Sequence, residues 1–142
     1  MDKALGLDLY FVEKDMLETV WPDALELLSR IKQVGEAGAD LDFWHTKLKN
    51  EEAQLWVVTD AAQLVQFVLV THINVLPTVK WLEIVFAAGS RGEEAFGLMC
   101  KLEAWAKDQG IDIVTITGRK GWKRWAGKIG FKESAITLTK YI

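Results

Sequence analysis

The densest charge in this chain lies between residues 119 and 132, where Arg119, Lys120, Lys123, Arg124, Lys128 and Lys132 are interrupted by Trp122 and Trp125 and by no acid. At helical spacing Lys120, Arg124 and Lys128 form one row. Trp122, Trp125, Ala126 and Ile129 form the opposing apolar stripe, which places the tryptophans against a sheet rather than against stacked bases. The cations have three readings, in this order: a solvated helix face, a site for phosphates, or a contact with an acidic protein partner through Lys120, Lys123, Arg124 and Lys128. Nucleic acid ranks below all three. A protein that coats nucleic acid needs a basic footprint, and the formal charge here is −3 with a pI near 5.4.

Other groups capable of chemistry are few. Glu83 falls in a strand-like run whose alternation puts it on one face with Trp81 and Val85, so it is either a poised base or a solvated acid paired with Lys80. His45 and His72 are the only histidines, and their spacing predicts no metal site. No serine or cysteine triad is legible. Cys100 is the only cysteine, which excludes an internal disulfide, fits a reducing compartment and predicts a small buried hydrophobe within an apolar helical pattern. Gly89-Ser90-Arg91-Gly92 reads as a loop, and Ser90-x-x-Glu93 as a capping box that satisfies the free N–H groups of the next helix.

The elements that must position these groups follow from periodicity. Residues Leu5 to Val12 predict a strand. Leu17, Val20, Trp21, Ala24, Leu28 and Ile31 predict a helix, kinked or split where Pro22 removes a backbone donor. A second helix is expected from Asp40 to Lys49. Three closely spaced strands follow, Leu55 to Thr59, Leu64 to His72 and Val79 to Ala87, joined as an antiparallel meander. After the glycine loop, Ala95, Leu98, Met99, Leu102, Trp105 and Ala106 share one stripe of a single long helix ending at Gly110. A buried strand from Ile111 to Thr117, a basic helix from Arg119 to Lys128 and a last strand from Ala135 to Tyr141 complete the order. This is an α/β (α+β) pattern: a mixed, mostly antiparallel sheet with helices on both faces, in one domain spanning residues 1–142. Half of the residues are apolar, enough for a core, and seven tryptophans also suit protein interfaces. The first residues lack a signal-peptide pattern and no run reaches membrane-spanning length, so a cytoplasmic location is expected, with no membrane partner.

That order, with Arg124-Trp125-Ala126-Gly127-Lys128-Ile129-Gly130-Phe131 near the carboxyl end, resembles the GNAT N-acetyltransferase superfamily, whose corresponding segment reads R-F-Y-E-K-L-G-F. The segments Gly118 to Arg124, Leu102 to Ala106 and Val70 to Ile73 are also similar to short GNAT-like proteins of tailed bacteriophages, which implies a phage origin and a place in or near the virion. The superfamily resemblance implies an acetyl-coenzyme A site with Ser90, Arg91 and Gly92 around the pyrophosphate and Trp125 lining the thioester channel. It also implies Glu83 as the base for an amine.

The match departs from the family at its working positions. Glu94 and Phe96 stand where the phosphate loop carries small residues, and a carboxylate there repels pyrophosphate. Ala126 stands where a tyrosine protonates the leaving thiolate, and alanine has no proton to give. Arg119 replaces a frequent asparagine. Two expectations therefore stand side by side. The favoured one is a GNAT-shaped protein without a working cofactor, acting as a structural or protein-interaction module with virion proteins or itself as partners. The alternative is an acyl-coenzyme A-dependent N-acetyltransferase of unknown acceptor.

Overall fold

The computed structural model describes residues 6–31, 40–117 and 122–134 together with Leu138, Lys140 and Ile142. Strand β1, Asp8–Phe11, leads through one 3-10 turn, Lys14–Met16, into helix α1, Leu17–Leu28. Pro22 sits inside α1 and the helix runs through it without a break, so the expected split does not occur. The buried stripe of Leu17, Trp21, Ala24 and Leu28 holds both halves on the sheet, which offsets the one lost backbone hydrogen bond. Helix α2, Leu41–Lys49, starts where the Asp40 carboxylate accepts the N–H groups of Asp42 and Phe43.

The meander is as expected: β2, Gln54–Thr59, β3, Val65–Val75, and β4, Lys80–Gly89, pair antiparallel in turn. Strand β1 joins β2 on one side. On the other side β5, Val114–Ile116, runs parallel to β4, giving the order β1-β2-β3-β4-β5. Strand β5 is half-buried rather than buried. The predicted last strand from Ala135 to Tyr141 lies largely outside the described residues.

The predicted single helix after the loop is two segments, α3, Gly92–Phe96, and α4, Cys100–Asp108. Between them Leu98, Met99 and Lys101 donate to the third residue back instead of the fourth, a tightened turn beginning at Gly97. The apolar stripe survives this change, with Ala95, Met99, Leu102 and Ala106 all buried. Cys100 lies off that stripe and is exposed, which corrects its reading as a buried hydrophobe. Helix α4 ends as Gly110 takes a left-handed φ of 78° and the Ile111 N–H reaches back to the Ala106 carbonyl at 2.9 Å. Helix α5, Trp122–Lys128, follows.

Helices cover both faces of the sheet. On one face Leu9, Trp56, Val58, Leu69, Leu82 and Ile84 pack against α3, α4 and Ala126 of α5. On the other Leu55, Val57, Val68, Val70 and Ala88 pack against α1 and Leu48 of α2. Among the described residues no helix is long and apolar enough to cross a membrane.

Candidate functional site

A bulge in β4 divides the candidate residues into two places. Val70 pairs with Phe86 but Thr71 pairs with Ile84, so Val85 is an extra residue in β4. Beyond the bulge the alternation reverses: Ala87 joins the core that holds Ile84, while Ala88 turns to the α1 side. The predicted shared face of Trp81, Glu83 and Val85 therefore ends at Glu83. The bulge also falls where β4 leaves β5, because Ile84 opposite Ile116 is the last pair between them.

Glu83 is half-buried and paired across the sheet with His72. Its Oε1 accepts from Asn74 Nδ2 at 3.1 Å. Over this row Trp44 of α2 meets His72 edge-on at 5.9 Å and Phe86 at 5.8 Å. The expected Lys80 partner is replaced by Asn74, a neutral donor. His45, the other histidine, stacks on Trp21 at 4.4 Å and meets Glu18 at 3.0 Å, which ties α2 to α1.

The loop after β4 lies about 20 Å along the strand from Glu83, at about 3.3 Å per residue. Gly89 has a φ of 132°, and a Cβ there would lie 2.3 Å from the Gln66 carbonyl oxygen, so only glycine lets the strand pass β3 this closely. Ser90 does not cap the helix. Its N–H donates to the Gln66 carbonyl at 2.8 Å, and its hydroxyl donates to Gln66 Oε1 at 3.1 Å. Gln66 in turn donates to Asp60 Oδ2 at 2.9 Å. Being spent on this chain, the serine stays at the strand end, and the cap position passes to Arg91 in a left-handed conformation with no side-chain cap. The capping-box expectation is therefore corrected. The Leu64 N–H, followed by those of Ala62, the Gln66 amide and the nearby Arg91 charge, holds the Asp60 carboxyl below its usual range against a smaller opposing effect of burial.

Glu93, the other half of the expected box, turns to α5 and accepts from Lys128 Nζ at 2.8 Å. That hydrogen bond and charge hold the Glu93 carboxyl below its usual range. Arg91 Nε lies 3.8 Å from Glu94. With no side chain over them, the N–H groups of Gly92, Glu93 and Glu94 meet no protein acceptor among the described residues. Glycine at this position would let an anion approach, but the space of its missing Cβ is filled: a Cβ on Gly92 would stand 2.6 Å from Trp125 Cζ3 and 3.3 Å from Phe67 Cε1. Phe96 is buried and meets Trp122 and Trp125 edge-on at 5.6 and 6.0 Å, as the apolar stripe of α5 required. Trp125 is half-buried, with one side of its indole against Gly92 and Phe96.

The structure brings Arg91, Gly92 and Trp125 together and holds Ser90 beside them but turned away. The residues fit coenzyme pyrophosphate poorly, because two acidic residues share the first turn, Ser90 is engaged by Gln66, and the space beside Gly92 is filled by Trp125. Ala126 is buried with no group to transfer a proton. The basic helix is also less basic than its sequence suggested. Lys123 bonds Glu133 at 2.8 Å, which raises its pKa, and Lys128 is taken by Glu93. Arg124 remains exposed, while Lys120 lies outside the described residues. The sequence missed Gln66 and Asn74, whose importance arises from cross-strand placement, and Asp60, which ties the turn between β2 and β3 to Gln66. Among the described residues no group of three histidine, cysteine or acidic side chains could hold a metal ion.

No protein-family model matches this sequence, and no curated protein does either. Solved structures do match its fold. A predicted acetyltransferase from Clostridium acetobutylicum with acetyl-CoA superposes with a TM-score of 0.67 at 17% identity, covering 95% of this chain and 96% of that one. An aminoglycoside acetyltransferase from an uncultured soil metagenomic sample, in complex with sisomicin, gives 0.73 at 11% identity and 96% of each chain. A GCN5-related N-acetyltransferase from Ralstonia eutropha gives 0.68 at 16% identity, covering 96% and 99%. At such identities the likeness establishes the fold, that of the GNAT acetyltransferases, and leaves the narrower phage resemblance resting on its sequence segments.

Proposed function

Starting from an acetyltransferase-like fold, we propose that this chain uses the GNAT scaffold as a protein-interaction module, without acyl transfer from coenzyme A. The observation that carries this reading is the start of α3. There the indole of Trp125 fills the space beside Gly92 that a Cβ would take, and Glu93 and Glu94 put two acidic residues in the first turn, whose charge opposes an anion at that helix end. Ala126 adds that no acid is present at the helix position the family uses. Fold does not carry function by itself, and here the site chemistry argues against the activity of the fold's relatives. The phage-like segments suggest a virion or its assembly as the setting, and the exposed Arg124 with the exchangeable Lys123 and Lys128 pairs offers an acidic partner a docking edge. Surface ion pairs are weak, so a partner's carboxylates displace Glu133 and Glu93 at little cost.

A second reading, an N-acetyltransferase, is favoured by the unpartnered N–H groups of Gly92 to Glu94 and by half-buried Glu83 beside Asn74. The two separate in a thiol-release assay with acetyl-coenzyme A and a panel of primary amines. The proposal expects release at the buffer rate for every amine. Release that saturates with acetyl-coenzyme A and is lost in Glu83→Gln would establish the second reading instead.

A further inference from the structure

Strand β1 is an outer strand of the sheet, and among the described residues no strand pairs with its far side. A bare edge of this kind is a template for another chain. Which of its backbone groups face outward follows from the register. The Val12 N–H donates to the Leu55 carbonyl, and hydrogen-bonded pairs recur at every second residue of an antiparallel ladder, so Tyr10 and Asp8 also bond to β2. Leu9 and Phe11 therefore turn their N–H and C=O groups away from the sheet. Their side chains hold that edge in place: Leu9 is buried, and Phe11 lies against Trp56 and Trp105 at 5.1 and 5.7 Å.

Both outward groups of Leu9 are already taken. Its N–H donates to Asp8 Oδ1 at 2.9 Å, and its carbonyl accepts from Lys101 Nζ at 3.1 Å. Lys101 comes from the first turn of α4, far away in sequence, and is held at the strand by Asp8 Oδ1 at 2.7 Å, with its ammonium 5.2 Å from the Tyr10 ring. The ammonium thus occupies the carbonyl to which the N–H of an added strand would have to bond.

Without that ammonium the edge suits a second copy of β1. Laid antiparallel with Tyr10 opposite Tyr10, Leu9 of each chain faces Phe11 of the other, and each such pair exchanges two hydrogen bonds. Asp8 then stands opposite Val12, so no like charges meet across the strands. We propose that Lys101, anchored by Asp8, guards the edge of β1 and keeps a second copy of this chain from adding its own β1 there. The guard shares no residue with the Gly89 to Gly92 loop, Glu83 or α5, so it stands whether or not coenzyme binds.

The Lys101 side chain is 48% exposed, so Lys101→Met keeps the apolar stem and removes only the donor. Full-length wild type, Lys101→Met and Lys101→Arg are compared by sedimentation velocity from micromolar to millimolar concentration, with amide hydrogen exchange read at Leu9 and Phe11. Lys101→Met frees one carbonyl in each chain, two hydrogen bonds in the pair, and should dimerise about tenfold to a hundredfold more tightly than the wild type. Its Phe11 amide, which faces outward in the single chain, should become protected as concentration rises. Lys101→Arg keeps a charged donor and should behave as the wild type. A Lys101→Met protein that stays monomeric, that associates while the Phe11 amide still exchanges freely, or that pairs no more tightly than the wild type would overturn the proposal. The wild type alone supplies a further test: its Phe11 amide should exchange at the same rate across the concentration range, and protection that grows with concentration would show the edge to be unguarded.

Discussion

Gly92→Ala tests the packing on which the functional reading rests. A Cβ at that position lies 2.6 Å from Trp125 Cζ3 and 3.2 Å from Cη2, whereas ordinary contact begins near 3.4 Å, so the indole must retreat by about 0.8 Å. Trp125 is itself wedged against Phe96, and overpacking of this kind costs about 1–3 kcal/mol. Alanine recovers at most about 1 kcal/mol as a better helix former, less at the first position of α3. A net loss of about 1–2 kcal/mol remains, which for a domain of this size lowers the melting midpoint by about 3–6 °C. Near-ultraviolet circular dichroism follows the melt and also reports the tryptophan environment. The same substitution in a Trp125→Leu background isolates the contact, since the cost should largely disappear there. A neutral or stabilising Gly92→Ala, or an equal cost in both backgrounds, would refute the claim that the indole occupies the approach face of the glycine.

Three further outcomes are expected. Thr71→Val keeps the side-chain volume but strands the Trp56 indole N–H and frees Gln54 Oε1, and should cost about 1–3 kcal/mol in urea denaturation with an unchanged slope. Ala126→Tyr restores a phenol at the family's acid position but forces a large ring into a buried site, so it should destabilise by about 1–3 kcal/mol and leave thiol release at the buffer rate. Asp60 has its folded pKa depressed, chiefly by the Leu64 N–H, so its contribution to stability is present above the ordinary carboxylate pKa and is lost as pH falls through the folded value. A carbon-detected NMR titration should place its midpoint below those of the exposed carboxylates; a midpoint among or above them would contradict the hydrogen-bond assignment.

Legibility in the sequence followed the range of the interactions. The meander, α1, α2 and the stripes of α4 and α5 were readable because their apolar periodicity is local and matches what the core buries. Whether Pro22 splits α1, and whether the helix after the loop divides at Gly97, was not legible because tertiary packing decides whether such residues interrupt a helix. The loop chemistry was misread for a similar reason: Ser90-x-x-Glu93 has the spacing of a cap, yet Gln66 on β3 and Lys128 on α5 compete for the two side chains and win. Neither competitor is near in sequence. The face of Glu83 was legible only up to the bulge at Val85, since one extra residue reverses every side chain beyond it. Departures from the family pattern at Glu94, Phe96 and Ala126 could be read directly, and the structure adds the reason they matter in Trp125 against Gly92.

The most direct test of the central claim is a thermal melt of the full-length protein with and without millimolar acetyl-coenzyme A. The lapsed-site account predicts the same midpoint in both. A ligand at about a hundred times its dissociation constant stabilises the folded state by about 2.7 kcal/mol, several degrees for this chain, so a saturable rise of that size would contradict the account and restore the acetyltransferase reading.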